Sequence, residues 1–213
     1  MGRSTMCPRC ARTLREPSAW SARWTCAAHG VVLPARVLRE PSAQVISGIA
    51  TTLDVPLWLP WPLPRGWVLG ALVLAGDETT GVRGAGLVLS GPHPLGGAAD
   101  WVLVAEEPGV GLGAGLAGLA EVDPGSAVVG APAAAITVST HAVPLWQVDA
   151  APDRATYAGE WEGCWMWTIF RPQDAGVLLV DDVRAADMRR LGREVDLLPY
   201  GTAPDWLPQV SGS

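Results

Sequence analysis

The middle of the chain consists of short apolar runs separated by turn-forming residues. Residues 67–75, 84–90 and 101–105 are mostly apolar, and between them stand GDETTG and GPHPLGG, which are rich in glycine, proline and polar residues. Runs of this length and spacing are typical of antiparallel strands. Two later segments, AITVSTHAVPLWQV and ATYAGEWEGCWMWTIF, resume this character. In the second, a period of two predicts a shared face for Trp161, Trp165, Trp167 and Ile169.

Two other segments carry a helical pattern. Ser42 is the predicted N-cap of a short helix with an apolar face made of Val45, Ile46, Ile49 and Leu53. Near the end of the chain, the pattern predicts a strand at 177–180, then a helix, then a strand. Asp181 or Asp182 would cap that helix and Gly192 would end it. Its apolar face would comprise Ala185, Met188 and Leu191.

The segment from Asp54 to Trp67, DVPLWLPWPLPRGW, contains four prolines and three tryptophans. Proline excludes it from a helix interior and from a central strand. Large aromatic side chains are costly to leave in water. We therefore expect residues 56–67 to form an ordered, extended cover on the sheet, into which Trp58, Trp61 and Trp67 insert. The alternative is an exposed aromatic patch that awaits a partner.

Four side chains with metal-binding chemistry stand in two matching pairs near the N-terminus. Cys7-Pro-Arg-Cys10 and Cys26-Ala-Ala-His29 are separated by fifteen residues, which is enough for a hairpin that returns the second pair to the first. Within each pair, two intervening residues place both ligands on one turn, and two such pairs at this separation resemble a zinc ribbon. Three thiolates and one imidazole would fill all four positions of a tetrahedral Zn²⁺. The predicted site is therefore structural and not catalytic.

Two alternatives for these cysteines fit the chain less well. A thioredoxin-like pair follows a buried strand, whereas only six residues precede Cys7. A disulfide framework belongs to an oxidising compartment, and we expect no export signal here. Cysteines without any ligand are the remaining alternative.

These patterns together predict an α+β fold, with a small N-terminal zinc ribbon followed by a mainly antiparallel β-sheet domain with one or two packed helices. The predicted boundaries are 1–35 for the ribbon, 36–66 for a linker, the short helix and the Trp/Pro-rich cover, and 67–213 for the sheet domain.

Composition and charge restrict where the protein can be located and what it can bind. The longest apolar run, residues 66–76, is far shorter than the roughly twenty residues that span a membrane. We therefore expect a cytoplasmic protein with no membrane association.

Charge is distributed unevenly along the chain. Residues 1–40 hold seven arginines and two glutamates, a net charge of +5, and the remainder holds eight arginines and nineteen acids, a net charge of −11. The basic segment can attract nucleic acid, but the acidic remainder repels it, so we expect weak binding at most.

Three patterns invite a catalytic or cofactor role, and a structural role explains each of them better. Gly113-x-Gly115-x-x-Gly118 matches a dinucleotide fingerprint, but residues 106–112 separate it from the preceding strand. Cys164, with His93 or His141 as a base, would make a nucleophile only if the fold joined them. The carboxylate pairs are expected to be solvated strand ends or a helix cap, namely Glu106-Glu107, Glu160 with Glu162, and Asp181-Asp182. No catalytic or cofactor-binding residue is assigned.

Several motifs in order along the chain carry a resemblance to a known group of proteins. They are the CPRC and CAAHG boxes, PLWLPWPLPRGW, SGPHPLGG, LVAEEPGVGLGAGLAG and EVDLLPYG. With these motifs the chain resembles, nearly end to end, a family of uncharacterised proteins from high-GC actinobacteria. The resemblance implies an intact zinc-binding N-terminus and a cytoplasmic actinobacterial origin, and it supplies no catalytic residue.

Three function classes follow from the sequence. The first is a non-enzymatic interaction or regulatory protein whose zinc ribbon docks a protein partner. The second is a small-molecule-binding protein or an enzyme, with a pocket built from the Trp-rich strands and the glycine loop. The third is a weak nucleic-acid binder that uses the N-terminal arginines.

Overall fold

A ten-stranded sheet dominates residues 5–208, the part of the chain that the computed structural model describes. A separate two-stranded sheet lies near the N-terminus and consists of β1 (Thr25–Cys26) and β2 (Gly30–Val31). The strands of the large sheet are β3 (Ala35–Leu38), β4 (Trp58–Pro60), β5 (Val68–Asp77), β6 (Gly81–Pro92), β7 (Ala98–Glu106), β8 (Ala134–Val138), β9 (His141–Val148), β10 (Ala155–Trp161), β11 (Cys164–Arg171) and β12 (Arg184–Asp187).

The strand order of the large sheet is β3-β5-β6-β7-β11-β10-β9-β8-β12-β4. Neighbouring strands pair antiparallel except β12 and β8, which run parallel. Within the described residues, two short α-helices accompany the sheet, α1 (Ala43–Ala50) and α2 (Leu112–Ala117). The predicted α+β class with a mainly antiparallel sheet is confirmed.

The central strands are almost continuously apolar because both of their faces are buried. In β5, Leu72 and Leu74 point into the larger core, which the curled sheet and α1 enclose. Val73 alternates with them and points into a second core on the opposite face, which α2 helps to cover. A strand that packs on two sides needs apolar residues at successive positions. This requirement explains the apolar runs at 67–75, 84–90 and 101–105.

The helix after Ser42 forms as predicted. The Ser42 side chain accepts a hydrogen bond from the Val45 N–H at 3.3 Å, which satisfies one of the free donors at the start of α1. Ile46 is buried against the larger core, whereas Val45 is 36% exposed. The apolar stripe of α1 is therefore narrower than the sequence pattern suggests.

The Trp/Pro-rich segment contributes the edge strand β4. Trp58 and Trp67 are buried, Trp61 is half-buried, and Pro60 stands at the end of β4, where an edge strand tolerates a missing N–H donor. β4 pairs with β12 along the sheet and also packs across β6 and β7. The sheet is therefore curled, with its β4 edge folded over its own centre.

The prediction that Trp161 shares a face with Trp165 and Trp167 is wrong. Trp161 pairs with Cys164 and packs on the larger core, whereas Trp165 and Trp167 belong to the second core. The cause is the two-residue turn of Glu162 and Gly163, both with positive φ, which joins β10 to β11. Residues opposite each other in a hairpin share a face, so a period counted through the turn does not hold.

The predicted strand, helix and strand near the end of the chain are also wrong. Residues 173–180 form 3₁₀ turns that bury Ala175 and Leu179, four positions apart, while Val177 and Val180 are exposed. The predicted helix is instead strand β12, because its backbone bonds to β8 on one side and to β4 on the other. Short 3₁₀ turns follow at 188–190 and 192–197. Within residues 5–208 no helix is long and apolar enough to cross a bilayer.

Candidate metal centre

The two cysteine-containing steps fold into equivalent turns. In the first, the amide N–H groups of Arg9 and Cys10 point at the Cys7 sulfur. In the second, the amide N–H groups of Ala28 and His29 point at the Cys26 sulfur. Donors aimed at sulfur stabilise a thiolate, which is the form that ligates a metal. Both turns therefore present their first cysteine in the same way, as the matched spacing requires.

The four predicted ligands converge on one point. Their ligand atoms all lie within 4.8 Å of one another. The Sγ atoms of Cys10 and Cys26 are 3.7 Å apart, and His29 Nδ1 lies 3.4 Å from Cys7 Sγ and 3.6 Å from Cys26 Sγ. Zn–S bonds of about 2.3 Å and a Zn–N bond of about 2.0 Å at tetrahedral angles give separations of about 3.8 Å between sulfurs and about 3.5 Å between sulfur and nitrogen. The cluster has the dimensions of a tetrahedral site and can hold a metal ion.

The two buried thiols differ in their electrostatic surroundings. Burial raises the pKa of Cys7 to about 12, against the pull of its two amide donors. Burial also raises the pKa of Cys26, but the amide donors of Ala28 and His29 outweigh it and lower that pKa to about 6. A divalent cation at the centre favours the thiolate form of every cysteine that ligates it. A cation at the centre would therefore interact favourably with all four side chains at once.

The segment around the cluster has little apolar core of its own. Its own cluster of buried residues is Cys7, Leu14 and Cys26, with Cys10, Trp24 and Val32 packed beside them, whereas Met6 is buried in the second core of the sheet domain. Backbone bonds between Arg15 and Thr25 and between Ser18 and Ser21 build a hairpin between the two turns. We call residues 5–34 the ribbon. Three buried side chains are too few to hold a segment of this length by the hydrophobic effect alone.

The ribbon is packed against the sheet domain through the glycine-rich helix α2. A Cβ atom built on Gly115 would stand 2.1 Å from the carbonyl oxygen of Pro8, so only glycine permits this approach. Arg9 donates to the Ala120 carbonyl at 3.1 Å, and the Trp24 indole donates to Asp77 at 3.1 Å. The first metal-binding turn therefore lies directly on α2.

The glycine motif is a packing device and not a dinucleotide fingerprint. A Cβ atom on Gly113 would collide with the Trp167 ring at 2.2 Å. The N-terminus of α2, where a pyrophosphate would have to bind, is occupied by the Glu106 carboxylate, which accepts hydrogen bonds from the N–H groups of Leu112 and Gly113. Gly113 and Gly115 instead allow close contact with Trp167 and with the ribbon, and Gly118 ends α2 with a positive φ.

The expectation that Glu106 is a solvated strand end is wrong, because its side chain is completely buried. Burial raises the pKa of Glu106 to about 7, although the two amide donors of α2 act in the opposite direction. The next residue, Glu107, does face outward and pairs with Arg83. Sequence alternation places the two side chains on opposite faces, but it does not show which face is covered.

The other carboxylate pairs have structural roles or lie in solvent. Glu160 accepts a hydrogen bond from the Gly163 N–H at 3.1 Å in the exposed β10–β11 turn, and Glu162 is exposed there. Asp182 pairs loosely with Arg184, so neither Asp181 nor Asp182 caps a helix. Asp187 has that role instead, because it accepts from the N–H groups of Leu57 and Arg189.

The fold does not assemble Cys164, His93 and His141 into a catalytic group. His93 is buried beside Asp174 at the β6–β7 turn, with its Nε2 atom 3.2 Å from the carboxylate. His141 is exposed at the start of β9, where its ring packs on Trp161 at 5.5 Å. Burial raises the pKa of the Cys164 thiol, which opposes formation of a nucleophilic thiolate.

Sequence reasoning missed the most exposed aromatic residue of the ribbon. Trp20 stands at the tip of the ribbon hairpin and is 97% exposed. The signal was present in SAWSARW, where small polar residues surround an aromatic one between the two metal-binding steps. A strand pattern alone does not distinguish a buried tryptophan from one at a turn.

Comparison with known proteins places the chain in a family. The model of the family of unknown function DUF6758 matches residues 1–207, and the chain belongs to that family. No curated protein and no solved structure matches the chain.

Proposed function

Because membership of that family assigns no activity, we propose a function from the site itself: a non-enzymatic interaction protein whose ribbon is held by a structural Zn²⁺ and docks a protein partner. The observation that carries the proposal is the agreement of the Cys7, Cys10, Cys26 and His29 separations with a closed tetrahedral site.

The composition of the ligand set favours zinc and a structural role. Thiolate and imidazole ligands in a tetrahedral arrangement suit Zn²⁺, and four protein ligands leave no position for water or substrate. The metal supplies a crosslink between two turns that share only a small core. In small zinc modules, this binding is on the order of 10–16 kcal/mol and drives folding. Reduced thiolates also suit the cytoplasm, where we place the protein.

The ribbon hairpin presents the surface that we assign to the partner. Trp20 lies at its tip in solvent, and tryptophan is among the residues that dominate binding energy at protein interfaces. The exposed side chains of Arg12, Arg15 and Arg23 lie along the same hairpin, with Glu16 the acidic residue among them. A partner with an apolar socket and an acidic rim would complement this surface.

Metal analysis tests the zinc site. We expect one equivalent of Zn²⁺ per chain in protein purified without added metal, and a large loss in Cys7→Ser plus Cys10→Ser. Cys164→Ser is the matched control, because Cys164 is a free thiol outside the cluster. Metal content well below one equivalent in the wild type, or unchanged content in the double variant, contradicts the site.

Site-specific crosslinking tests the docking surface. A photoreactive amino acid at position 20 should join the protein to a discrete partner in the native host, and the adduct should disappear when zinc is chelated. The same amino acid at Leu95, which is 76% exposed in the β6–β7 turn, controls for nonspecific capture. Equal adducts from both positions contradict a docking role, and a nuclease-sensitive adduct favours the nucleic-acid alternative.

A further inference from the structure

A cavity of about 320 Å³ lies at the β4 end of the large sheet. The other end of the strand order is β3, the strand that follows the ribbon. The floor of the cavity is built where β12 lies between β8 and β4. Arg184 is opposite Thr137 of β8 on one side, and on the other side its carbonyl accepts the Trp61 N–H at 2.8 Å. The hairpin turns at Ser139 and Glu162 contribute to the wall. Cavities of this size accommodate small organic ligands.

Three indole rings line the cavity. Trp58 is almost completely buried and fixed in the larger core, and Trp61 and Trp161 are half-buried. The His141 ring packs on Trp161 at 5.5 Å from the outside. Rings held in this way offer flat apolar faces to a planar ligand with little loss of side-chain entropy on binding.

Two arginines beside these rings have little of their charge neutralised by the protein. Arg184 lies 3.7 Å from Asp182 and Arg190 lies 4.0 Å from Asp187, the limit of an ion pair, and both side chains are mostly exposed. Arg189 differs, because it bonds closely to Asp187 and to the Leu53 carbonyl. The charged lining residues of the cavity are three arginines and two carboxylates, so the lining has a net charge of +1 in a body with a net charge of −11.

We propose that this cavity binds a small ligand that combines a planar ring with an anionic group, either a phosphate ester or a carboxylate. The ring stacks on Trp61 and Trp161, and the anion accepts hydrogen bonds from Arg184 and Arg190. Guanidinium groups match the geometry of both anions. Two acidic side chains line the cavity, Glu162 and Asp187. Asp187 accepts hydrogen bonds from the N–H groups of Leu57 and Arg189, so Glu162 is the carboxylate that would repel a bound anion.

Calorimetric titration of the full-length protein with paired probes tests the proposal. The pairs are adenosine 5′-monophosphate with adenosine, and 1-naphthoate with 1-naphthylmethanol, with inorganic phosphate as the anion that lacks a ring. We expect at least one planar anion to bind about tenfold more tightly than both its neutral analogue and phosphate. The pair that responds identifies the anion as a phosphate ester or a carboxylate. Failure of both planar anions to bind at millimolar concentration overturns the proposal, as does equal binding of the neutral analogues.

Substitutions of charged and aromatic lining residues test whether the probe binds in this cavity, and they are expected to change its affinity in opposite directions. Arg190→Ala and Trp61→Ala should each weaken binding by about tenfold, Trp61→Phe should largely preserve it, and Glu162→Gln should strengthen it. Arg193→Ala is the control, because Arg193 is exposed on the following turn and does not line the cavity. Thermal unfolding checks that each variant is folded. Unchanged binding in Arg190→Ala and Trp61→Ala, with both variants folded, would show that the probe binds elsewhere.

Discussion

The carbonyl oxygen of Pro8 and the α-carbon of Gly115 are in such close contact that a methyl group on residue 115 would overlap the oxygen. Pro8 lies between Cys7 and Cys10, two of the proposed metal ligands, and Gly115 lies in a helix whose other side touches Trp167 and whose N-terminus binds Glu106. The contact thus connects the ribbon to the second core of the sheet domain.

Gly115→Ala should lower the free energy of unfolding by about 1–3 kcal/mol, because the new Cβ must displace the Pro8 backbone. It should also speed the loss of the proposed Zn²⁺ to a chelator, since the turn that carries Cys7 and Cys10 must move. Gly48→Ala in α1 is the matched control. No atom lies within 4 Å of a Cβ at position 48, so alanine there should be neutral or stabilising by up to about 1 kcal/mol. Chemical denaturation and a zinc-transfer assay measure the two effects.

Glu106→Gln should change how stability depends on pH. The folded pKa of Glu106, about 7, is above its ordinary value of 4.5, so the unfolded chain releases this proton first. The wild type should therefore lose stability relative to the variant as the pH rises from about 4.5 to about 7, and the difference should be constant above that range. The total change is on the order of 3 kcal/mol.

Denaturation of both proteins across pH 4 to 8 measures that difference. Glu107→Gln is the control for the loss of one negative charge on the same strand, since its side chain faces Arg83 and not the core. A Glu106→Gln curve parallel to that of the wild type would contradict the assigned burial effect.

If the cluster holds Zn²⁺ as proposed, its removal should unfold the ribbon and leave the large sheet folded. The ribbon's own cluster contains three buried side chains, whereas none of Cys7, Cys10, Cys26 and His29 belongs to either sheet core. We expect proteolysis of the chelated protein to cut first within residues 5–34, with most of the β-sheet circular dichroism retained. Cooperative loss of all structure on chelation would show that the ribbon and the sheet fold as one unit.

Asp187→Ala should cost about 2–3 kcal/mol of folding free energy. The substitution leaves the buried Leu57 N–H without its acceptor and removes the close partner of the Arg189 guanidinium. Asp182→Ala is the matched control, since that carboxylate is exposed and 3.7 Å from Arg184, and its loss should change stability by less than about 0.5 kcal/mol. Urea denaturation compares the two variants.

The features that the sequence predicted correctly are those with a strong local signal. The apolar runs identified β5, β6 and β7 because strands buried on two faces need apolar residues throughout. The Ser42 cap acts within one turn of helix, and the convergence of Cys7, Cys10, Cys26 and His29 follows from their spacing in two matched pairs. In each of these cases the interacting residues are close in sequence or obey a fixed period.

The features that were missed depend on distant partners. Helix α2 has only six residues, two of them glycine, so its own propensity is poor, and contacts with Pro8 and Trp167 stabilise it. Glu106 is buried because α2 covers it and supplies two donors. Residues 184–187 became a strand because β8 and β4 were both available as partners. No periodic pattern in the sequence indicates contacts between residues that are far apart along the chain.

The position of β4 constrains the order in which the protein can fold during synthesis. β4 emerges from the ribosome early, at residues 58–60, but its pairing partner β12 is made only at residues 184–187. Until then, the apolar side chains of Leu57, Trp58 and Leu59 have no complete site in which to bury. The nascent chain must therefore carry an unpaired, hydrophobic edge through most of translation, which makes this segment a natural target for chaperones and the point at which a truncated product would aggregate.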